Sequence, residues 1–179
     1  MKTAPQDRPS ARGLRVAVIR SRYNVAVVDG LLAGAREALR EMGAAEPDVA
    51  LAEVPGAFEL PAAAAAAARS GRFDAVVALG AVVKGETDHY EHVAREASSG
   101  LAAVARETGV PVGFGVLTVA REEQALARSA PGSENKGAEA ARAAIAMVHV
   151  LRGLAGRAGG EPPRRARGAR PAGRRQGTR

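Results

Sequence analysis

An α/β fold, with a four-stranded parallel sheet flanked by helices, follows from three features of the sequence. Four short runs rich in apolar and β-branched residues stand out: LRVAVIR, VALAEV, AVVALGAVV and PVGFGVLT. The third and fourth of these look like buried strands covered on both faces. Between the four runs lie segments whose apolar residues recur at helical spacing. The resulting βαβαβαβα order, with the last helix split, calls for right-handed crossovers and a parallel sheet between helical layers.

The elements follow in turn. Leu14–Arg20 predicts the first strand. Over Val25–Met42 the apolar residues Val28, Leu31, Leu32, Ala35 and Leu39 share one helix face, and Gly43 stops the helix. Val49–Val54 is a short strand ended by the turn dipeptide Pro55-Gly56. Leu60–Ser70 is an alanine-rich helix that tolerates Pro61 in its first turn. A strand over residues 75–83 comes next, then a turn, Lys84-Gly85-Glu86-Thr87-Asp88, in which Gly85 permits tight geometry and Thr87 or Asp88 can cap a helix of about 90–108. Pro111–Thr118 is the fourth strand. Arg121–Ser129 is a short helix, residues 130–134 a loop, and Lys136–Leu151 the last helix. Four strands leave much sheet face and edge open, which favours oligomerisation, and the smooth Ala62–Ala68 face suits close packing.

The 179 residues fit one domain with a full core. Three parts are expected: a flexible N-terminal arm over 1–13, an α/β domain over 14–152, and a disordered basic tail over 153–179. The tail holds eight arginines against Glu161, which leaves 18 basic and 18 acidic residues over 1–152. The net charge of +7 therefore belongs to the tail and says nothing about the domain's ligand. Rich in Arg, Gly and Pro, the tail reads as a solvated extension, or as an arm making weak, sequence-independent contact with RNA or another polyanion. MKTAPQDRPSARG lacks the apolar region of a secretory signal, and the Ala62–Ala68 run is far too short to span a bilayer. Without cysteine there is no disulfide, thiolate nucleophile or cysteine-based metal site. The expected location is the cytoplasm.

Candidate chemistry gathers beyond the carboxyl ends of the strands, where α/β proteins bind ligands. Lys84, Thr87 and His89 lie where free N–H groups and a helix N-terminus would face an anion. His89 is the best general acid/base candidate, because histidine titrates near neutrality; a helix-capping or solvated histidine is the plain alternative. His92, one turn on, could make a metal pair with it, but nothing evident completes a ligand set. Only five aromatics exist, Tyr23, Phe58, Phe73, Tyr90 and Phe114. Tyr23 and Phe58 fall in loops after strands, beside Asn24 and Glu59, and suit stacking on a planar heterocycle. Phe73 and Tyr90 read as core. Asn24 and Glu59 could bind a polyol or an amide edge, or be a cap and an exposed charge. Arg128 and Lys136 flank the 130–134 loop and could hold phosphate across a subunit boundary. His149 reads as packing or surface. Gly113-Phe114-Gly115 lies inside a strand, so it is no dinucleotide fingerprint.

Five motifs in register, SRYNVAVVDGLLAGAREAL, VPGAFELP, GAVVKGETDHYEHVAREASSGL, PVGFGVLT and NKGAEAA, resemble the lumazine synthase family over about residues 14–152. The resemblance implies a flavodoxin-like three-layer sandwich assembled as a homopentamer, in many members packed into a sixty-subunit icosahedral shell. It also implies a transferase of riboflavin biosynthesis. That enzyme condenses 5-amino-6-(D-ribitylamino)uracil with 3,4-dihydroxy-2-butanone 4-phosphate to 6,7-dimethyl-8-ribityllumazine, with no metal and no organic cofactor.

Carried over by motif, Tyr23 stacks on the pyrimidine, Asn24 and the Phe58-Glu59 pair position the ribityl chain with Ala57 also binding substrate, and the backbone at Val82 and Val83 reads the pyrimidine edge. Lys84 adjoins the substrate. Gly85, Glu86 and Thr87 cradle the phosphate, and His89 moves protons. Phe114 and Arg128 come from the adjacent subunit, with Arg128 on the phosphate, Lys136 lining the site and Glu139 pairing with Arg128. Some positions depart from the pattern. Many members have a basic residue where this chain has Ala130-Pro131-Gly132-Ser133-Glu134, and His92 stands where an aromatic is common. Two other readings compete: an archaeal-type riboflavin synthase, which GETDH and FELP argue against, and a non-catalytic shell or flavin-storage protein.

Overall fold

The uninterrupted run AVVALGAVV becomes the buried middle of the sheet. In the computed structural model, which describes residues 9–156, the strands are β1 (Val16–Ser21), β2 (Val49–Val54), β3 (Ala75–Val83) and β4 (Val112–Val119). The helices are α1 (Val25–Glu41), α2 (Leu60–Arg69), α3 (His89–Thr108), α4 (Glu122–Ser129) and α5 (Lys136–Leu154), and short 3-10 turns lie at Glu46–Asp48 and Ala57–Glu59. All strands are parallel, in the order β2-β1-β3-β4. Val16 pairs with both Val49 and Ala75, and Val76 pairs with Val112.

Alternate residues of each central strand feed two separate cores, the consequence of a side-chain period of two. Val16, Val18, Val77 and Leu79 pack with α1 and α5, whose contributions include Leu31, Leu39 and Ile145. Ala17, Ile19, Val76 and Ala78 pack with α2 and α3 through Leu60, Ala64, Leu101 and Val104. These are the three layers. The alanine-rich helix α2 buries Ala64 and Ala68 in this second core, as its smooth face suggested.

Some details differ from expectation. β2 is an edge strand with Leu51 40% exposed, and β4, expected to be buried, is the other edge strand and leaves Phe114 47% exposed. Residues 9–13, assigned to a flexible arm, include Ala11, which is fully buried and whose N–H donates to the Met42 carbonyl at 2.8 Å. The last helix runs past Leu151 to Leu154; near its end Arg152 reaches Asp74 at 3.0 Å, and Asp74 also accepts from the Arg15 N–H at 2.9 Å. The remainder of the expected arm, residues 1–8, and the expected tail from 157 lie outside the described residues.

Candidate active site

The strand order fixes where a ligand should go. From β1 the chain moves outward to β2, then returns past β1 to β3 and β4, so the topology switches between β1 and β3. A crevice opens at such a switch, beyond the carboxyl ends of the strands. A cleft of about 620 Å³ lies there. The loop after β1 supplies Tyr23 and Asn24, and the turn after β2 supplies Gly56, Ala57, Phe58 and Glu59. The end of β3 adds Ala81, Val82 and Val83; beyond it come Gly85, Thr87, His89, Tyr90 and Val93.

Asn24 spans the switch point. It adopts the left-handed conformation (φ 56°), which asparagine tolerates better than most side chains, and occupies the cap position of α1 without a side-chain capping bond. Its Nδ2 instead donates to the Ala81 carbonyl at 2.8 Å, tying the loop after β1 to β3. Glu59 Oε2 accepts from the Gly56 N–H at 2.8 Å and fixes the turn that presents Phe58. Both side chains thus hold the cleft's own frame. Tyr23 and Phe58 are 70% and 57% exposed, and large rings left open in a cleft mark a binding surface rather than core.

Asp88 takes the cap position of α3, yet neither it nor Thr87 makes a side-chain capping bond. The N–H groups of that first turn gain no side-chain acceptor there, a setting that suits an anion. Lys84 and Glu86 are exposed and stand outside the cleft lining. The Lys84 ammonium rests 5.5 Å from the Tyr90 ring centroid. His92 is exposed and lines neither this cleft nor the next. Among the described residues no three His, Asp or Glu side chains gather as a metal-binding group.

The remaining candidates sit elsewhere. A second cleft of about 510 Å³ runs along edge strand β4 and is lined by Phe114, Thr118, Gln124, Arg128, Lys136 and Glu139, among others. No residue lines both clefts, although Val82 pairs with Thr118 and Val83 with Val119 where they approach. Arg128 donates to the Gln124 carbonyl at 3.1 Å. One expected contact is corrected: Glu139 pairs with Lys136, one turn earlier on α5, and not with Arg128. Three-residue helical spacing brings those two side chains together at once.

Tyr90, read as core, does pack against the second core and is also a half-buried wall of the first cleft. Gly56, Ala81 and Val93 were missed altogether. Val93 was recoverable, since it lies four residues after His89 on the same helix face. Phe73 does pack against the second core, and His149 is exposed, within 2.7 Å of the Ser10 carbonyl.

Comparison with known proteins adds an independent line of evidence. The family model described as 6,7-dimethyl-8-ribityllumazine synthase matches residues 13–152. A 6,7-dimethyl-8-ribityllumazine synthase from Kineococcus radiotolerans is 54% identical over 154 residues, covering 85% of this chain and 94% of that relative.

Proposed function

The chain belongs to the 6,7-dimethyl-8-ribityllumazine synthase family, and its function is synthesis of 6,7-dimethyl-8-ribityllumazine in riboflavin biosynthesis; from that premise we propose that its active site is composite. The first cleft holds the pyrimidine and its ribityl chain, and the second cleft of a neighbouring copy completes the site around the phosphate. The observation that supports this most is the place of Phe114. It pairs with Ala78, three residues before the Ala81–Leu117 pair, which puts it about 10 Å along the strand from the first cleft. Its ring, 47% exposed on an edge strand, is open to a second molecule and does not line the cleft that holds its own chain's Tyr23 and Phe58.

In this reading Tyr23 stacks on the pyrimidine, Asn24, Ala57, Phe58 and Glu59 bound the ribityl chain, and the backbone at Val82 and Val83 meets the pyrimidine edge. The amine of 5-amino-6-(D-ribitylamino)uracil adds to the ketone of 3,4-dihydroxy-2-butanone 4-phosphate and forms an imine with loss of water. Phosphate is then eliminated, and ring closure releases a further water, so atoms balance without an external oxidant. His89 moves the protons. The N–H groups at Gly85 and Glu86, with the Thr87 hydroxyl, hold the phosphate oxygens, and a neighbouring copy's Arg128 supplies the opposing charge. Lys84 adjoins the substrate, Lys136 lines the site, and Glu139 holds Lys136. Much of the rate comes from holding the two reactants together.

We extend the proposal to a homopentamer, with the sixty-subunit shell as its larger form, working in the cytoplasm. The eight arginines of 157–179 make weak contact with nucleic acid. The enzyme reading is tested by mixing the protein with both substrates and following lumazine fluorescence above the uncatalysed rate. Acceleration that falls in His89→Ala and Arg128→Ala is the expected result. An assembled protein that does not accelerate the reaction would favour a shell or storage role.

A further inference from the structure

The Asn135 side chain is 2% exposed and lies between the two cationic residues of the second cleft, Arg128 and Lys136, without lining the cleft itself. Its Oδ1 accepts from the N–H groups of Gly137 and Ala138 at 2.9 and 3.0 Å, capping α5. Its Nδ2 donates backward, to the carbonyls of Ser129 at 2.7 Å, Ala130 at 3.1 Å and Gly30 at 3.0 Å. An amide has two N–H groups, so three acceptors share them. The Asn135 N–H closes the loop on the Gly132 carbonyl at 3.3 Å. One side chain thus joins the end of α4, the loop, the start of α5 and the flank of α1.

The fit around it is tight. A Cβ at Gly34 would lie 2.1 Å from Asn135 Oδ1, one at Gly30 2.5 Å from the Ser129 carbonyl oxygen, and one at Gly137 1.9 Å from the Leu31 carbonyl oxygen. Ser129 follows Arg128 and Lys136 follows Asn135, so the clamp fixes the backbone beneath both cations. Arg128 on the phosphate and Lys136, paired with Glu139 and lining the same site, act together only at a set separation, because charge-assisted hydrogen bonds weaken quickly off their geometry.

We propose that Asn135 is a positioning residue that sets the separation of Arg128 and Lys136 and thereby the affinity of the site for the phosphate-bearing substrate. This rests on the composite-site reading above. Capping alone does not explain the side chain, since serine or threonine also caps helices but is too short to reach the Ser129, Ala130 and Gly30 carbonyls.

The test compares Asn135→Ser, Arg128→Ala and the parent protein, with thermal melting to establish folding. For Asn135→Ser the KM of the butanone phosphate and the inhibition constant of inorganic phosphate should both rise about tenfold, equivalent to one weakened charge-assisted contact. The KM of the pyrimidine should stay within about twofold, as expected when uniform binding is lost at one locus. Asn135→Thr, which fills more of the space, serves if the serine variant does not fold. A folded variant with parental phosphate constants, beside an Arg128→Ala protein that has lost phosphate affinity, makes Asn135 a cap only and overturns the inference. Should Arg128→Ala also keep its phosphate affinity, the composite-site reading fails, and the inference with it.

Discussion

At Gly56 an added methyl would lie 3.3 Å from the Tyr23 ring and 3.1 Å from Glu59 Oε2. Its φ of −141° suits any residue, so only those neighbours resist a side chain. Gly56→Ala should therefore cost less than about 1 kcal/mol of stability, since an exposed ring can yield. It should raise the pyrimidine KM several-fold, because the yielding ring is the one that stacks. Urea unfolding and steady-state kinetics on one preparation would check both. His89→Ala should slow turnover roughly a hundredfold, the usual scale of general acid–base help, yet leave it above the background reaction. Activity at or below background would contradict the view that positioning supplies the rest. His89, Tyr23 and Phe58 were legible in the sequence because few other residues bear their chemistry in post-strand loops. Gly56 was not, for a glycine's influence is what it admits, and that depends on neighbours the sequence does not reveal.

Among the elements, α1 packs closely against the junction that runs from the end of α4 to the start of α5. Gly30 and Gly34 on α1 face Ser129 and Asn135, and Gly137 on α5 faces Leu31. Gly34→Ala should cost about 1–3 kcal/mol, the scale of overpacking in a filled core, despite alanine's better helix propensity. A urea midpoint at or above the parent's would show that the helices can separate freely. The element order and most boundaries were readable from periodicity and from Gly43 and Pro55-Gly56, where a helix end and a turn fall. The exposure of β4 was not, since strand order is a long-range property and PVGFGVLT alone resembles any buried strand. The continuation of α5 to Leu154 was equally hidden, since the contact that anchors its end, Arg152 on Asp74, joins residues distant in sequence.

For the whole molecule, the two clefts explain why one chain holds every candidate residue yet does not gather them. The first cleft was legible as a constellation at strand ends. Of the second, Arg128 and Lys136 were legible from their place beside the 130–134 loop, whereas the roles of Phe114 and Glu139 came only through the resemblance, because periodicity does not reveal what an exposed sheet edge meets. Charge divides the chain similarly, with 1–152 balanced and the arginines beyond. Ending the protein at Leu154 should leave catalysis unchanged and abolish salt-sensitive RNA retention; filter binding at low and high salt would read this. The most direct test of the composite site is complementation. His89→Ala impairs the first cleft and Arg128→Ala the second, so unfolding the two variants together and refolding them as mixed assemblies should pair intact clefts from different chains. Lumazine formation by the mixture should exceed that of either variant alone. A mixture that never rises above the mean of its two parents would mean that each chain completes its own site.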